Sequence, residues 1–171
     1  MTLSIQTERL LLRTFKTSDA EEYFSITRDP LIQNFVPYCY EPTLEDTIET
    51  IDFYYKNGDC IHDFYLVIQE ISTGKIIGAI IATSTVNAEL DMSILIETSA
   101  RNKGYMSEAL LAFKDHVPIG SKLVFVIDKQ NDASFHTISK LPNIKEVPFD
   151  DEQSQKYNRL ILSVWSHTKK H

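Results

Sequence analysis

The sequence predicts one α+β (mixed α/β) domain, and three observations carry that prediction. Short apolar segments with the spacing of strands are interleaved with segments whose apolar residues recur at helical spacing. The 171 residues suit one compact domain with a sizeable core. Since no repeat, linker or low-complexity stretch divides residues 1–171, we expect one domain, with 166–171 as a frayed tail.

Caps and breakers define the elements of the N-terminal part. A first strand is predicted over 8–13, and Ser18 with Glu21 has the capping-box spacing that begins a helix. Asp29–Pro30 ends that helix, because the residue before a proline resists helical geometry. The following segment, 31–41, is aromatic and irregular.

A second helix and three strands are predicted in the middle of the chain. Thr43 caps the helix, and Asn57–Gly58 ends it. The strands are predicted over 63–70, 75–86 and 90–96. Because short turns separate them, they are expected to form an antiparallel meander.

The C-terminal part alternates between helices and strands. An amphipathic helix is predicted over 109–116, followed by a continuous apolar run, 122–127, which is typical of a buried strand. Asn131–Asp132 caps a short helix over 133–141. Two further strands are predicted over 144–149 and 157–165.

The segment 91–108 combines a strand, a basic turn and a helix start, which together predict an anion site. The first N–H groups of a helix lack intrahelical acceptors, and the helix dipole adds partial positive charge there. Arg101 and Lys103 supply full positive charges. Gly104 lets the backbone approach an anion without a side chain in the way.

Composition excludes several classes of protein. The net charge of −7 argues against a nucleic-acid binder; it suits a cationic substrate, and an acidic solvated surface explains it equally well. No apolar run reaches the roughly 18 residues of a membrane span, and the N-terminus lacks signal-peptide features, so we expect a cytoplasmic location and no membrane partner. Neither the cysteines, expected to be reduced thiols, nor the histidines have metal-ligand spacing, so no metal is expected. The histidines are His62, His116, His136, His167 and His171.

Several motifs occur in one order along the chain. They are Gln6-Thr7-Glu8-Arg9-Leu10-Leu11-Leu12-Arg13, Ser18-Asp19-Ala20, Arg101-Asn102-Lys103-Gly104-Tyr105-Met106, Ser107-Glu108-Ala109 and Asn131-Asp132-Ala133-Ser134. This set resembles the GNAT N-acetyltransferase superfamily, whose acyl-CoA signature is Arg/Gln-x-x-Gly-x-Gly/Ala. The opening is similar to the Rim-type branch, which includes acetyltransferases of ribosomal-protein N-termini.

The resemblance implies a splayed, mostly antiparallel sheet of six to seven strands with about four helices and acetyl-CoA as cosubstrate. Backbone groups of Ile94, Leu95 and Ile96 would pair with the pantetheine arm. N–H groups from Asn102 to Ser107 would hold the pyrophosphate, and Asn131 the second strand or the pantetheine. The implied cofactor-binding set outside the strand is Arg101, Asn102, Lys103, Gly104, Tyr105, Met106, Ser107 and Asn131.

Three features depart from the family pattern, of which Pro142-Asn143, in place of the usual Gly-Phe after the later helix, affects shape more than chemistry. Met106 stands where glycine or alanine is usual; it either belongs to the apolar face of the helix or points at the phosphates and weakens CoA binding. Ile138 stands where many relatives keep a tyrosine as general acid, so Ser134, expected near the thioester sulfur, is the substitute candidate. The alternative is that Ser134 is a polar residue in the first turn of the helix and has no role in catalysis.

Acetyl transfer to an amine needs a neutral amine, a stabilised oxyanion and a proton for the thiolate. Asp91, on the strand beside the expected acyl site, is the candidate base; a solvent-exposed Asp91 is the alternative reading, and Glu89 a weaker candidate. A strand N–H near Ile94 or Leu95 is expected to hold the oxyanion.

The aromatic residues Phe35, Tyr38, Tyr40 and Tyr157 are candidates for the wall of an amine pocket, or for an ordinary packed lid. The sequence therefore predicts an N-acetyltransferase, a monomer or homodimer, that moves an acetyl group directly to a primary amine of a protein N-terminus or small molecule. The alternative is a non-catalytic module of the same fold that binds CoA or a protein partner.

Overall fold

The computed structural model describes residues 2–36, 41–85, 88–147 and 159–165. Within these ranges the strands are β1 Ser4–Gln6, β2 Leu10–Thr14, β3 Phe64–Glu70, β4 Ile76–Ser84, β5 Glu89–Ile96, β6 Lys122–Asp128, β7 Lys145–Val147 and β8 Arg159–Trp165. The α-helices in the same ranges are α1 Ala20–Thr27, α2 Pro30–Gln33, α3 Leu44–Asn57, α4 Tyr105–Lys114 and α5 Asp132–Ile138.

The strands form one sheet in the order β1-β2-β3-β4-β5-β6-β8-β7. Every neighbouring pair is antiparallel except β5 and β6, which are parallel. Their register runs only from Glu89–Lys122 to Asp91–Val124, although β5 continues to Ile96 and β6 to Asp128. The predicted splayed, mostly antiparallel α+β fold is confirmed, with short β1 and short α2 as elements that the sequence did not reveal.

Two apolar layers, one on each face of the sheet, form the core. On one face α4 packs against the sheet, and the ring of Phe113 meets Phe64 edge to face at 5.2 Å between centroids. On the other face α1 and α3 cover the sheet, and Tyr54 stacks on Tyr65 at 4.5 Å. Burying side chains of this size contributes about 1.5–3 kcal/mol each.

The start of α1 differs from the prediction. Ser18 and Glu21 do not form the expected capping box, because a 3₁₀ turn, Thr17–Asp19, leads into the helix. The Asp19 carboxylate instead accepts the Lys16 N–H at 2.7 Å and both terminal nitrogens of Arg13 at 2.8 and 2.9 Å. A buried ion pair with β2 has replaced a local cap.

The helix starts predicted from capping residues hold for α3 and α5, whereas α5 ends at Ile138, three residues before the predicted 141. Thr43 accepts the Asp46 N–H at 3.1 Å, and Asp46 accepts the Thr43 N–H at 3.0 Å. Asn131 caps α5 by accepting the Ser134 N–H at 3.1 Å. By contrast α4 begins at Tyr105, four residues before the predicted 109, because Gly104 already serves as its N-cap.

Strand β6 is buried on one face only, not on both as its continuous apolar run predicts. Leu123, Phe125 and Ile127 are buried, whereas Val126 between them is 42% exposed. Its partners β5 and β8 lie beside it, and α4 and α5 cover the face of the buried residues. Apolar composition alone did not distinguish one-sided from two-sided burial here.

Strand β4 contains a bulge that brings β5 unusually close. Ile68 of β3 pairs with Gly78 and the next residue with Ile76, so Ile77 is the extra residue. A Cβ at Gly78 would lie 2.4 Å from the Leu95 carbonyl oxygen. Only glycine lets the carbonyl of β5 occupy this place.

In the part of the chain that the structure describes, no helix has both the length and the apolar character needed to cross a membrane. The predicted tail, 166–171, and the predicted strand ends at 148–149 and 157–158 lie outside the described residues.

The contact at Gly78 gives a prediction of unusual sign. In an unobstructed strand, replacing glycine with alanine stabilises the fold by about 0.5–1 kcal/mol. We expect Gly78→Ala to lower the free energy of unfolding by about 1–3 kcal/mol, because the methyl group meets the Leu95 carbonyl. Urea denaturation measures the change.

Ala82→Gly is the reverse change on the same buried strand. It gives a reference value for the loss of one methyl group, about 1 kcal/mol in the free energy of unfolding. A Gly78→Ala protein as stable as the wild type, or more stable, would contradict the close approach of β5.

Candidate functional site

A cavity of about 270 Å³ opens beyond the last paired residues of β5 and β6. Its walls come from α2 and the residues after it, the end of β5, the start of α4 and the helix α5. The described lining residues are Leu31, Ile32, Phe35, Val36, Ile94, Leu95, Ile96, Ala100, Arg101, Asn102, Gly104, Tyr105, Met106, Ser107, Asn131, Ala133, Ser134, His136, Thr137 and Lys140.

The free edge of β5 forms one wall. The Glu97 N–H donates to the Ile77 carbonyl at 2.7 Å, so odd-numbered residues at this end direct their backbone groups toward β4. Ile94 and Ile96 therefore direct theirs to the side from which β6 has separated. Leu95 lines the cavity, but its backbone groups belong to the β4 side.

The N-terminus of α4 forms the adjoining wall. The first bond of the α4 ladder is from the Glu108 N–H to the Gly104 carbonyl at 3.0 Å, so the N–H groups of Tyr105, Met106 and Ser107 have no acceptor within the helix. Gly104 has φ 79°, a left-handed conformation that L side chains rarely adopt. Three N–H donors and the positive end of the helix dipole thus meet at the cavity.

The two basic residues of the loop, Arg101 and Lys103, differ in their position relative to the cavity. Arg101 lines the cavity and is half-buried. Lys103 is exposed and is not among the described lining residues; its carbonyl accepts the Arg9 Nη1 at 2.9 Å. Asn102 lines the cavity with φ 62°.

Met106 is 5% exposed and belongs to the core layer under α4. Of the two alternatives for this residue, the structure therefore gives the core position, and only part of Met106 contributes to the cavity wall. A larger residue at the sixth signature position is accommodated because its side chain enters the core.

Asn131 and Ser134 stand together across the cavity from β5. The Asn131 side-chain oxygen caps α5, which leaves the amide NH₂ as a donor at the cavity, while Ser134 contributes its hydroxyl. Ile138, where relatives keep a tyrosine, is 1% exposed in the core.

The candidate bases lie outside the cavity wall. Asp91 is exposed and is not among the described lining residues. It precedes Ile94 by three strand residues, about 10 Å at the usual rise. Glu89, the weaker candidate, is engaged by Lys122 at 2.8 Å across the parallel register.

The residues predicted to wall an amine pocket are described only in part. Phe35 lines the cavity and is 38% exposed, whereas Tyr38, Tyr40 and Tyr157 lie outside the described residues. Sequence analysis missed the apolar contribution of α2 and the residues after it, which includes Leu31 and Val36. The missed signal was Pro30, which is favourable at the first position of a helix.

Asp29 ties this wall to the basic loop. Its carboxylate accepts the Leu31 N–H at 2.8 Å and the Thr98 hydroxyl, in the turn just before Arg101. The Thr98 hydrogen bond first, then that from Leu31 and the charge of Arg101, hold the pKa of Asp29 below its ordinary value. Two sides of the cavity are thus linked through one carboxylate.

Sequence analysis also left His136 and Lys140 of the cavity wall unassigned.

A groove with free strand groups along one side, a helix N-terminus at one end and a basic side chain suits an extended ligand that carries both amides and phosphates. Among the described residues no group of histidine, cysteine and carboxylate side chains could hold a metal ion.

Solved structures show where this fold recurs. An acetyltransferase of the GNAT family from Bacillus anthracis has a TM-score of 0.79 at 19% identity, covering 96% of this chain and 99% of its own. Ribosomal-protein-S5-alanine acetyltransferase from Vibrio fischeri has a TM-score of 0.65 at 16% identity, covering 99% and 100%. Spermidine N-acetyltransferase from Vibrio cholerae, in complex with CoA and spermine, has a TM-score of 0.70 at 13% identity, covering 94% and 97%.

These identities establish the fold alone, and no curated protein matches the sequence significantly. The sequence does match one family profile, described as the acetyltransferase (GNAT) domain, over residues 9–141. That range holds the basic loop, the α4 N-terminus and the Asn131–Ser134 cap. The chain therefore belongs to the GNAT acetyltransferase family.

Proposed function

We propose that this chain transfers an acetyl group from acetyl-CoA directly to a primary amine. The observation that carries the proposal is the continuous wall made by the free edge of β5 and the N-terminus of α4. The two pieces are joined by residues 97–104, which include the 3₁₀ turn Thr98–Ala100, so they present amide-pairing groups and phosphate-binding groups in series. Membership of the family supplies the reaction class.

The residues present fit the acyl donor. Backbone groups of Ile94 and Ile96 suit the amides of a pantetheine arm, as an added strand would use them. The N–H groups of Tyr105, Met106 and Ser107 suit a pyrophosphate.

The other charged and polar groups of the wall complete this fit. Arg101 and Lys140 add positive charge. The Asn131 amide is placed to bind a pantetheine carbonyl from the opposite side.

Acetyl-CoA supplies an activated acyl carbon, and the chain supplies position and hydrogen bonds. The amine nitrogen forms a bond to that carbon, and the carbon–sulfur bond breaks. One proton leaves the nitrogen and one reaches the thiolate. The Ile94 N–H, on the cavity side of β5, is the candidate donor to the oxyanion, and the Ser134 hydroxyl the candidate donor toward the sulfur.

Two groups remain as candidates for taking the proton from the amine. Asp91 is the sequence-based candidate, but the rise from Asp91 to Ile94 requires a relay of water molecules. The imidazole of His136 lines the cavity itself. We favour His136 because a base must come within hydrogen-bond reach of the proton or of one bridging water.

The acceptor is a primary amine of a protein N-terminus or a small molecule. Leu31, Phe35 and Val36 offer an apolar wall for the part of the acceptor that flanks the amine. The net charge of −7 favours the approach of a cation.

The first prediction concerns acyl-donor binding. We expect Gly104→Val to weaken acetyl-CoA binding at least about 100-fold, because a β-branched residue rarely adopts φ 79° and the displaced loop loses its N–H donors. Isothermal titration calorimetry measures the Kd. Gly74→Val is the matched control, since Gly74 has φ 73° in an exposed turn outside the cavity and should keep wild-type affinity.

A wild-type protein that fails to bind acetyl-CoA at millimolar concentration would contradict the proposal. Binding without product over a panel of peptides, polyamines and aminoglycosides would instead favour the non-catalytic module.

The second prediction separates the roles of Asn131 and Ser134. We expect Ser134→Ala to lower kcat about 10-fold or more with an unchanged Kd for acetyl-CoA, because the hydroxyl meets only the leaving sulfur. Asn131→Ala should weaken acetyl-CoA binding and also cost about 1 kcal/mol of stability through loss of the α5 cap. Equal kcat for Ser134→Ala and wild type would remove Ser134 from the mechanism.

The third prediction concerns the base. We expect His136→Asn to reduce kcat/KM for the amine and to flatten its pH dependence, whereas Asp91→Asn should change it less than about threefold, because Asp91 does not reach the cavity. Initial rates between pH 6 and pH 9 measure both variants. A pH profile that changes with Asp91→Asn and not with His136→Asn would restore the sequence-based assignment.

A further inference from the structure

The loop that begins α4 is held from behind, on the side away from the cavity. The Arg9 side chain donates from Nη1 to the Lys103 carbonyl at 2.9 Å, and its guanidinium lies over the Tyr105 ring, 4.4 Å from the centroid. These two residues flank Gly104. Arg9 itself is not among the described residues that line the cavity.

Arg9 is fixed in turn by Glu108 in the first turn of α4. Its Nε donates to Glu108 Oε2 at 2.7 Å, its Nη2 lies 2.6 Å from the same oxygen, and its backbone N–H donates to Oε1 at 3.1 Å. The Thr7 hydroxyl also donates to Oε1, at 2.6 Å. One carboxylate therefore accepts three hydrogen bonds from the Thr7–Arg9 segment and also forms an ion pair with the Arg9 guanidinium.

The environment of Glu108 favours its charged form. Its partial burial raises its pKa, but the hydrogen bonds from Thr7 and Arg9 outweigh burial, so the pKa lies below its ordinary value. Tyr105 is tied to the same side of the sheet, since its hydroxyl donates to the Glu70 carboxylate on β3. The start of α4 is thus fastened to the turn between β1 and β2 and to β3 by side chains that the acyl-donor chemistry does not use.

We infer that Arg9 and Glu108 are positioning residues for the acyl donor: they form a latch that holds Lys103–Ser107 in the conformation that presents its N–H groups to phosphate. Because it lacks a side chain, Gly104 gives this loop conformational freedom, and each residue ordered only on binding would cost conformational entropy. The latch orders the loop before the ligand arrives. The inference rests on the proposed function, because it assigns the loop to acetyl-CoA.

The latch and simple electrostatics predict opposite effects of one substitution on acetyl-CoA binding. Glu108→Gln removes a negative charge near a phosphate site, which by charge alone strengthens the binding of an anion. Loss of the latch weakens it instead. Arg9→Gln weakens binding on either account, so Glu108→Gln is the decisive variant.

We expect both Arg9→Gln and Glu108→Gln to raise the Kd for acetyl-CoA about 10-fold, measured by calorimetry on the full chain. The KM for acetyl-CoA should rise in parallel, while kcat at saturating acetyl-CoA and the KM for the amine stay within about twofold of wild type. The Kd of Arg9→Lys for acetyl-CoA should lie between those of wild type and Arg9→Gln, because lysine keeps the charge but lacks the planar fork of donors.

Arg13→Gln is the matched control. Arg13, on β2, makes a two-pronged pair with Asp19 of the 3₁₀ turn Thr17–Asp19, and that pair is more buried than Arg9–Glu108. This variant should lose stability in urea but keep the wild-type Kd. If it does not fold, Arg13→Lys replaces it.

Hydrogen exchange of the ligand-free protein tests the latch separately from the proposed function. The amides of 108–110, at the start of the α4 ladder, should exchange faster in Arg9→Gln and Glu108→Gln than in wild type, but not in Arg13→Gln. Wild-type exchange rates in both latch variants would overturn the latch. Faster exchange with no acetyl-CoA binding by the wild type would overturn the proposed function and the role assigned to the latch in it.

Two binding results also overturn the inference. If Glu108→Gln binds acetyl-CoA as tightly as wild type or more tightly, Arg9 acts as a simple charge. If the Arg13 control weakens binding as much as the latch variants do, the effect is one of general stability.

Discussion

The separation of β5 from β6 is the constraint on which the site depends. These are the only parallel neighbours among the described strands, and their register ends at Asp91–Val124. Had the ladder continued, the backbone groups of Ile94 and Ile96 would be satisfied by β6 and no edge would remain for a ligand. The cavity is therefore a consequence of unfinished strand pairing within an otherwise continuous sheet.

Several features keep the separated strands in place. The bulge at Ile77 and the missing side chain of Gly78 seat the end of β5 tightly on β4. On the far side, Asn131 fixes the start of α5. Between them the Asp29–Thr98 contact joins α2 to the turn that leads into the basic loop. Each wall of the cavity is thus held by an element outside it, which leaves the groups that face the cavity available for a ligand.

What the sequence could reveal was mainly local. The strand, turn and helix of 91–108 are contiguous, so apolar spacing, one glycine and two basic residues were enough to predict an anion site there. Caps such as Thr43 and Asn131 act over three residues and were equally visible. The start of α4 was misplaced because an N-cap glycine in the left-handed region carries no side-chain signal.

Side-chain contacts between distant segments could not be predicted in this way. Arg9 meets Glu108 across 99 residues, and nothing in either segment names the other as its partner. Exposure is equally hard to predict. A carboxylate at Asp91 suggested a general base, but the exposure of Asp91 depends on how α1 and α3 cover the sheet. Whether a charged residue belongs to a site is decided by the packing around it, which residue type does not encode.

The contrast between one continuous segment and contacts between distant segments also describes how the site is organised. The groups assigned to acyl-donor binding lie largely on one continuous piece of chain, from Ile94 to Ser107, whereas α2 and α5 supply the rest of the wall from separate segments. A ligand that follows the continuous piece meets groups whose spacing is set by backbone geometry. A ligand that contacts α2 meets a wall whose position depends on the tether between Asp29 and Thr98. Covalent continuity thus sets the spacing of the groups proposed to bind the acyl donor, while side-chain contacts between distant segments hold both sides in place: Arg9–Glu108 on the proposed donor side and Asp29–Thr98 on the proposed acceptor side.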